Sequence, residues 1–372
     1  MALTLLFFQN CISPHQMPYI EVLAKRDDVE HVWVVAPRLA YSERAAMGWP
    51  KTWTTSSEKL SILINPRDEE VENLFHSTPL PCGGAGGGSS ESSSFSFFSG
   101  ISAFPEVHHW FLLSLKYDVK RGIITEAPYT YDKPLWMHKV RFALKDWRYV
   151  KYFDYVFAIG EDCATYYKMW SKRWKVVPFL YCTSEKVMAD LSDCTDCMPQ
   201  TPLRVCFVGS LDKRKNVGEL MDALSQINDK DINVTIVGDG PERSNIEQKV
   251  SELDAKIAVR FMGSQPMDET QNVIARNDVL VLPSLHDGWG AVINEAMILG
   301  TTPICSSKCG AKYIIQKSGF GGVYKTRCPK ELAELLTNIN IQTVRQDRVC
   351  LRNWSLQNIA PEAVADLFLS NI

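Results

Sequence analysis

The segment from Asp278 to Cys305 leaves few choices of fold. Asp278-Val279-Leu280-Val281-Leu282 is an apolar run that reads as a buried strand, and Pro283 ends it. Ser284 to Gly290 form a loop with two glycines two apart, Gly288 and Gly290. From Ala291 to Leu299 the apolar residues Val292, Ala296 and Leu299 recur at helical spacing. Gly300 stands where a helix C-cap glycine belongs, and Pro303-Ile304-Cys305 is the next short strand. Strand, glycine loop, helix and strand in this order place a ligand at the loop. Asp287 lies in that loop and Glu295 on the helix. Glycines let a ligand approach the backbone, and the N–H groups that open a helix favour an anion. A carboxylate one turn into the helix is placed to accept hydrogen bonds from sugar or ribose hydroxyls. Taken in isolation, an acid pair at this spacing reads first as a helix cap, Asp287, and a solvent-facing residue, Glu295; its surroundings decide otherwise.

The same alternation runs through the chain. Leu3 to Phe8 is a strand candidate, followed by the loop Gln9 to Gln16, a helix from Pro18 to about Lys25 and a strand at His31 to Ala36. This is a βαβ opening of Rossmann type. His15 sits in the loop at the carboxyl end of the first strand, which raises it above an ordinary surface histidine. Phe95 to Phe98 has strand character, Phe104 to Tyr117 has helical spacing, and Gly122 to Thr125 is a strand ending at Glu126. Glu126 has two readings, a ligand-facing acid at a strand end or a cap on the turn at Pro128. Tyr155 to Ile159 and Lys175 to Phe179 are further strands. After a polar stretch rich in Asp and Pro the pattern restarts with a strand at Leu203 to Val208, a helix at Val217 to Ile227, and strands at Ile232 to Val237 and Ala258 to Met262. The expected organisation is α/β. An N-terminal domain covers 1–182, with a flexible Gly/Ser segment at 82–94. A linker covers 183–202, a second Rossmann-like domain 203–350, and a C-terminal helix 351–372. A chain of 372 residues suits two such domains.

Composition narrows the functions. A formal net charge of -3 argues against a general nucleic-acid binder. No run of about 18 apolar residues marks a transmembrane helix. The opening MALTLLFFQNC lacks a basic start and reads as a first strand rather than a signal peptide. Eleven cysteines without framework spacing fit a reducing compartment. Cys194-Thr195-Asp196-Cys197 is a lone CxxC, and Cys305 and Cys309 are separated by three residues; neither has histidine partners at metal-site spacing. Asp229-Lys230-Asp231 lies between a helix and a strand and reads as a turn, so no metal site is expected. The stretch 135–153 is aromatic and basic. Arg141, Lys145 and Arg148 form one helical face, and Trp136, Val140, Ala143, Leu144 and Trp147 can form the other. Such a helix either packs its apolar face inward or lies on an anionic membrane surface.

Asp287-Gly288-Trp289-Gly290, Asn294-Glu295-Ala296-Met297 and Gly300-Thr301-Thr302-Pro303 together resemble the signature of retaining family-4 (group 1) glycosyltransferases of the GT-B fold. The Arg214-Lys215-Asn216 loop, the segment VGDGPER and the turn FMGS follow that pattern in order across most of 203–324. The chain departs from it with Asp287 where Glu is usual and Ser210 where Arg is frequent. The resemblance implies two Rossmann-like domains facing each other across a cleft, with the C-terminal helix crossing back onto the first domain. It implies a nucleotide-sugar donor as substrate, no cofactor and no metal. Lys215, with Arg214, would contact the diphosphate. Backbone N–H groups near Gly288, Trp289, Gly290 and Ala291 would cradle phosphate or sugar. Glu295 would hold the ribose, and Asp239 and Ser264 would lie near the base. Asp287, His15 and Glu126 form the expected catalytic set. The implied acceptor is a glycan or lipid-linked glycan, in cell-surface polysaccharide or glycolipid synthesis at the cytoplasmic face of the membrane. A nucleotide-sugar epimerase of the same fold and a catalytically degenerate nucleotide-binding protein are the alternatives.

Overall fold

The structure is a computed structural model that describes residues 2–41, 52–55, 57–76, 93–127, 134–184 and 202–372. Most of the Gly/Ser segment and of the expected linker, including Cys194 and Cys197, lies outside the described residues. The chain divides into two compact units, Met1–Cys182 with Pro361–Ile372, and Thr183–Ala360.

The first unit is built on a parallel sheet. Its strands are β1 (Leu3–Phe8), β2 (Val29–Ala36), β3 (Leu60–Ile64), β4 (Ser93–Ser99), β5 (Lys120–Glu126), β6 (Tyr155–Ile159) and β7 (Lys175–Phe179), ordered β3-β2-β1-β4-β5-β6-β7. β1 is central, pairing Leu5 with Val32 on one side and with Phe95 on the other. Its continuous apolar sequence LTLLFF suits a strand covered on both faces. β3, a short edge strand, has no counterpart among the strands expected from sequence.

The second unit repeats the plan with β8 (Leu203–Val208), β9 (Ile232–Val237), β10 (Ile257–Gly263), β11 (Val279–Leu282), β12 (Thr302–Ser306) and β13 (Gly322–Tyr324), ordered β10-β9-β8-β11-β12-β13 and parallel throughout. β11 is fully buried, as an all-apolar VLVL at the sheet centre must be. The order reverses between β8 and β11, which opens a crevice beyond the carboxyl ends of those two strands.

The C-terminal region differs from the expected single helix over 351–372. It forms two helices, Arg348–Asn358 and Pro361–Leu369. Pro361 lacks an N–H and cannot continue a helix, but it suits the first position of a new one. The first helix stays in the second unit, where Arg348 Nη1 donates to the Asn277 carbonyl at 2.9 Å. The second belongs to the first unit, so the chain returns at Pro361 rather than at residue 351. Phe368 is its anchor, fully buried with its ring 4.7 Å from Phe157 and 4.8 Å from Phe97.

Candidate functional site

The loops leaving β8 and β11 meet at the reversal point of the second sheet. The first is shaped by Asp212, whose Oδ2 accepts from the Ser210 hydroxyl at 2.7 Å and whose Oδ1 accepts from the Lys215 N–H at 2.8 Å. Asn216 ends the loop in the left-handed conformation, φ 53°, which Asn tolerates better than most residues. Its side-chain amide reaches the Pro283 carbonyl at 3.4 Å, and the Leu285 N–H donates to the Arg214 carbonyl at 2.8 Å. These bonds join the two loops and deliver two cations to one carboxylate. Lys215 Nζ lies 2.6 Å from Asp287 Oδ2, and Arg214 Nη1 lies 3.4 Å from the same oxygen and 3.3 Å from the His286 carbonyl.

Asp287 is held from behind as well. Its N–H donates to the Lys308 carbonyl at 3.1 Å, and its carbonyl accepts from Gly310 N at 3.0 Å. Gly310 is required there, because a Cβ at that position would lie 2.1 Å from the Gly288 carbonyl oxygen. The carboxylate is mostly buried, which alone would push its pKa up. The Lys215 charge and hydrogen bond, with Arg214 and His286, outweigh burial and hold it below the ordinary value. Asp287 is therefore ionised, and it is the counter-ion of the two cations.

Gly290 starts the helix Ala291–Ile298 at φ 90°. A Cβ on it would lie 2.7 Å from Cys309 Sγ and 2.8 Å from Leu282 Cδ2. The first N–H groups of this helix have no intrahelical acceptor and point positive charge at the loop. Trp289 is almost wholly buried. Its indole N–H donates to Asn294 Oδ1 at 2.7 Å and its ring lies 5.4 Å from Tyr313. The side chain fixes the loop, which leaves its backbone for a ligand. Its carbonyl is already taken by the Ala311 N–H at 2.7 Å.

Glu295 lies on the second turn of that helix and is 9% exposed. Among the described residues no donor is seen to reach its carboxylate. Burial raises its pKa to about 7. A buried acid without a protein partner is costly, and a ligand presenting hydroxyls would relieve that cost.

The remaining expected donor residues are less engaged. Asp239 is exposed; its Oδ1 accepts from the Gly240 N–H at 2.8 Å and its Oδ2 pairs with Arg243 at 3.1 Å. Ser264 is exposed immediately after β10. Lys215, Arg214 and Asp287 thus form one constellation at the glycine loop, with Glu295 on the helix that leaves the loop, while Asp239 and Ser264 sit at neighbouring strand ends.

His15 and Glu126 belong to the first unit. His15 lies in the loop after β1, where its carbonyl accepts from Cys182 N at 3.0 Å. Glu126 is the exposed last residue of β5. The Tyr181 hydroxyl links these segments. Burial raises its pKa first, helped by the charge and hydrogen bond of Glu126, while a hydrogen bond with Gln16 opposes the rise. Sequence reasoning missed Tyr181, whose only signal was its position two residues past a strand end. It also missed Asp212, although an Asp three residues before Lys215 is the pattern of a side-chain-closed turn. Among the described residues no three His, Cys, Asp or Glu side chains group to hold a metal.

The sequence model of a family described as "Glycosyl transferases group 1" matches residues 198–347. The chain is 35% identical over 97 residues to the 2-deoxystreptamine glucosyltransferase of Streptomyces kanamyceticus, covering 26% of this chain and 25% of that protein. It is 28% identical over 154 residues to the lipopolysaccharide core biosynthesis glycosyltransferase LpsE of Rhizobium meliloti (strain 1021), covering 41% of this chain and 43% of LpsE. The chain thus spans less than half the length of these curated relatives. Structural likeness extends further. Anabaena Alr3699/HepE in complex with UDP and glucose aligns over 99% of this chain and 98% of its own, with TM-score 0.65 and 13% identity. The lipopolysaccharide outer core galactosyltransferase WaaB, in its apo form, aligns over 100% and 99%, with TM-score 0.66 and 15% identity. The fold is that of these GT-B proteins, two parallel-sheet α/β domains of Rossmann type.

Proposed function

We propose that this chain is a glycosyltransferase that moves a hexose from a nucleoside-diphosphate sugar to a glycan or lipid-linked glycan, with retention and without a metal. The observation that carries the reading is the pairing of Lys215 and Arg214 with Asp287, together with the buried carboxylate of Glu295, which has no partner among the described residues, on the helix that follows the same loop. A nucleoside diphosphate matches this constellation at both ends. Its phosphates take the place of Asp287 as counter-ion to the cations, and its ribose hydroxyls donate to Glu295. When the sugar–phosphate bond breaks, negative charge grows on the leaving diphosphate. Lys215, Arg214 and the opening N–H groups of the helix Ala291–Ile298 stabilise that charge. Asp287, freed in part from Lys215, then faces the transferred sugar, with His15 and Glu126 serving the acceptor side. Ser210, whose hydroxyl is committed to Asp212, supplies no cation, so Lys215 carries a larger share of the diphosphate charge.

A uridine nucleotide is the favoured donor, because HepE, with which the fold is shared, has been seen with UDP and with UDP-glucose. LpsE and a teichuronic acid biosynthesis relative, TuaC of Bacillus subtilis (strain 168), support a place in polysaccharide or lipopolysaccharide synthesis. The cytoplasmic side of the membrane is the site of action in this reading. The test is transfer or slow hydrolysis of a UDP-sugar panel by the purified chain, compared with Lys215→Ala. UDP release that depends on Lys215 supports the reading. A chain that binds UDP but releases none from any sugar donor contradicts transfer and leaves a nucleotide-binding protein.

A further inference from the structure

The helix Leu135–Lys145 carries its apolar stripe on the wrong side for a soluble surface helix. Its core-facing side consists of His138 and Phe142, one turn apart and both buried. Phe142 stacks on Trp170 with ring centroids 4.3 Å apart, and the Tyr166 hydroxyl donates to the His138 carbonyl at 3.3 Å. At 100° per residue Trp136, Val140 and Leu144 fall on the opposite side, with Met137 beside them. Leu144 is 81% exposed and Trp136 63%. Trp147, in the short 3-10 helix Trp147–Tyr152 that follows, is 62% exposed and extends the stripe. Trp136, Met137, Val140 and Leu144, with Arg141 and Lys145, line an open depression of about 390 Å³. The sequence pattern allowed this apolar face to pack inward; in the structure Phe142 and His138 do the packing, and the stripe is left in water.

Cations border the stripe. Lys139 lies on one flank of the helix and Arg141 and Lys145 on the other, and Arg148 and Lys151 continue the row over the rings of Tyr149 and Tyr152. Asp146 is the one acid between residues 135 and 152, and its carboxylate accepts from the Ser102 hydroxyl. An apolar strip with two tryptophans, edged by five cations, matches a surface that is apolar below and anionic above.

We propose that residues 135–151 dock the first unit onto an anionic lipid bilayer, with Trp136, Met137, Val140, Leu144 and Trp147 entering the headgroup–acyl boundary and Lys139, Arg141, Lys145, Arg148 and Lys151 meeting lipid phosphates. A lipid surface fits better than a protein partner because the stripe is one helix wide and its charge is of a single sign. No helix among the described residues is long and apolar enough to cross a membrane, so this contact is peripheral.

The test is co-sedimentation of the full chain with vesicles of phosphatidylcholine alone and of phosphatidylcholine with phosphatidylglycerol. The chain should pellet with the mixed vesicles only, and less at high salt. Leu144→Glu and Trp136→Glu change outward-facing side chains, so melting should be unchanged while pelleting falls to the level seen with phosphatidylcholine alone. Each lost cation weakens binding by roughly fivefold, so Lys139→Gln, Arg141→Gln and Lys145→Gln together should weaken it by roughly a hundredfold. Failure to pellet with the mixed vesicles, or pelleting unaffected by Leu144→Glu, overturns the proposal. So does a lipid-free dimer in sedimentation velocity that Leu144→Glu abolishes, since the stripe would then belong to a second copy. The assay contains no nucleotide or sugar, so its failure leaves the donor-site reading untouched, and a failure of UDP binding leaves this surface untouched.

Discussion

Replacing Lys215 by Met removes a cation while keeping most of the side chain's volume. The carboxylate it leaves behind is 12% exposed and keeps Arg214, at 3.4 Å, and the weaker influence of His286. Breaking a buried pair by removing one partner costs about 3 to 5 kcal/mol when nothing else compensates. With Arg214 still present, about 2 to 3 kcal/mol is expected, or a fall in melting temperature of roughly 5 to 10 °C for a unit of this size. The pH dependence carries the sign. In the wild type Asp287 titrates below 3.8, so its stabilising contribution is present above the unfolded-state pKa and is lost as pH falls through the folded one. In Lys215→Met the desolvation that raises the pKa loses its main opponent. The deficit against wild type should therefore be largest near neutrality and shrink as pH falls through the mutant carboxyl's raised pKa, vanishing only once the wild-type carboxyl is protonated too. Asp287→Asn added to Lys215→Met should recover most of the lost stability, because the stranded charge is gone. Urea unfolding of the four proteins of this cycle gives the coupling between the two residues, expected above about 1 kcal/mol. Additivity within about 0.5 kcal/mol would mean that the two charges do not meet, and the argument for this site would fail with it.

Four other outcomes follow from the structure. The Glu295 carboxyl is raised from 4.5 to about 7, so it costs stability as pH rises between those values; Glu295→Gln should melt higher than wild type at pH 8 and lose that slope, on the order of 3 kcal/mol across the window. If ribose hydroxyls donate to the ionised form, UDP binding should tighten as pH rises through about 7, with proton release visible in calorimetry run in two buffers of different ionisation enthalpy. Gly290→Ala meets Cys309 and Leu282 at a positive φ and should cost about 2 to 4 kcal/mol by urea unfolding; an unchanged midpoint would show that the loop has room. Phe368→Ala removes the ring between Phe97 and Phe157 and should cost about 3 to 5 kcal/mol, with the helix Pro361–Leu369 becoming the first site of limited proteolysis; a wild-type digestion pattern would refute this.

Much of the fold was legible because its central strands are short apolar runs between turn signals. β1, β8 and β11 could be read this way, and the order strand, glycine loop, helix predicted a parallel sheet. β3 escaped because five residues at a sheet edge leave too little pattern. The break at Ile359–Pro361 escaped because the apolar spacing continues through it, although Pro361 marked it. Which side of the helix Leu135–Lys145 faces the core was not legible either. It has two apolar faces, and the rings of Tyr166, Tyr167, Trp170 and Trp174, more than twenty residues on, select Phe142. At the candidate site the sequence shows which residue types converge on the loop after β11. It does not show that Lys215 meets Asp287, seventy-two positions away, because that contact depends on the order of β8 and β11 in the sheet. It also gives no sign that the Trp289 indole faces inward.

The most direct test of the donor site is isothermal titration of the full chain with UDP, GDP and ADP, repeated on Lys215→Ala and Glu295→Ala. If the proposed function holds, UDP binds, Lys215→Ala weakens it by roughly tenfold to a hundredfold through loss of a charge-assisted contact, and Glu295→Ala weakens it as well. UDP binding that neither substitution disturbs would place the nucleotide elsewhere and contradict the site described here.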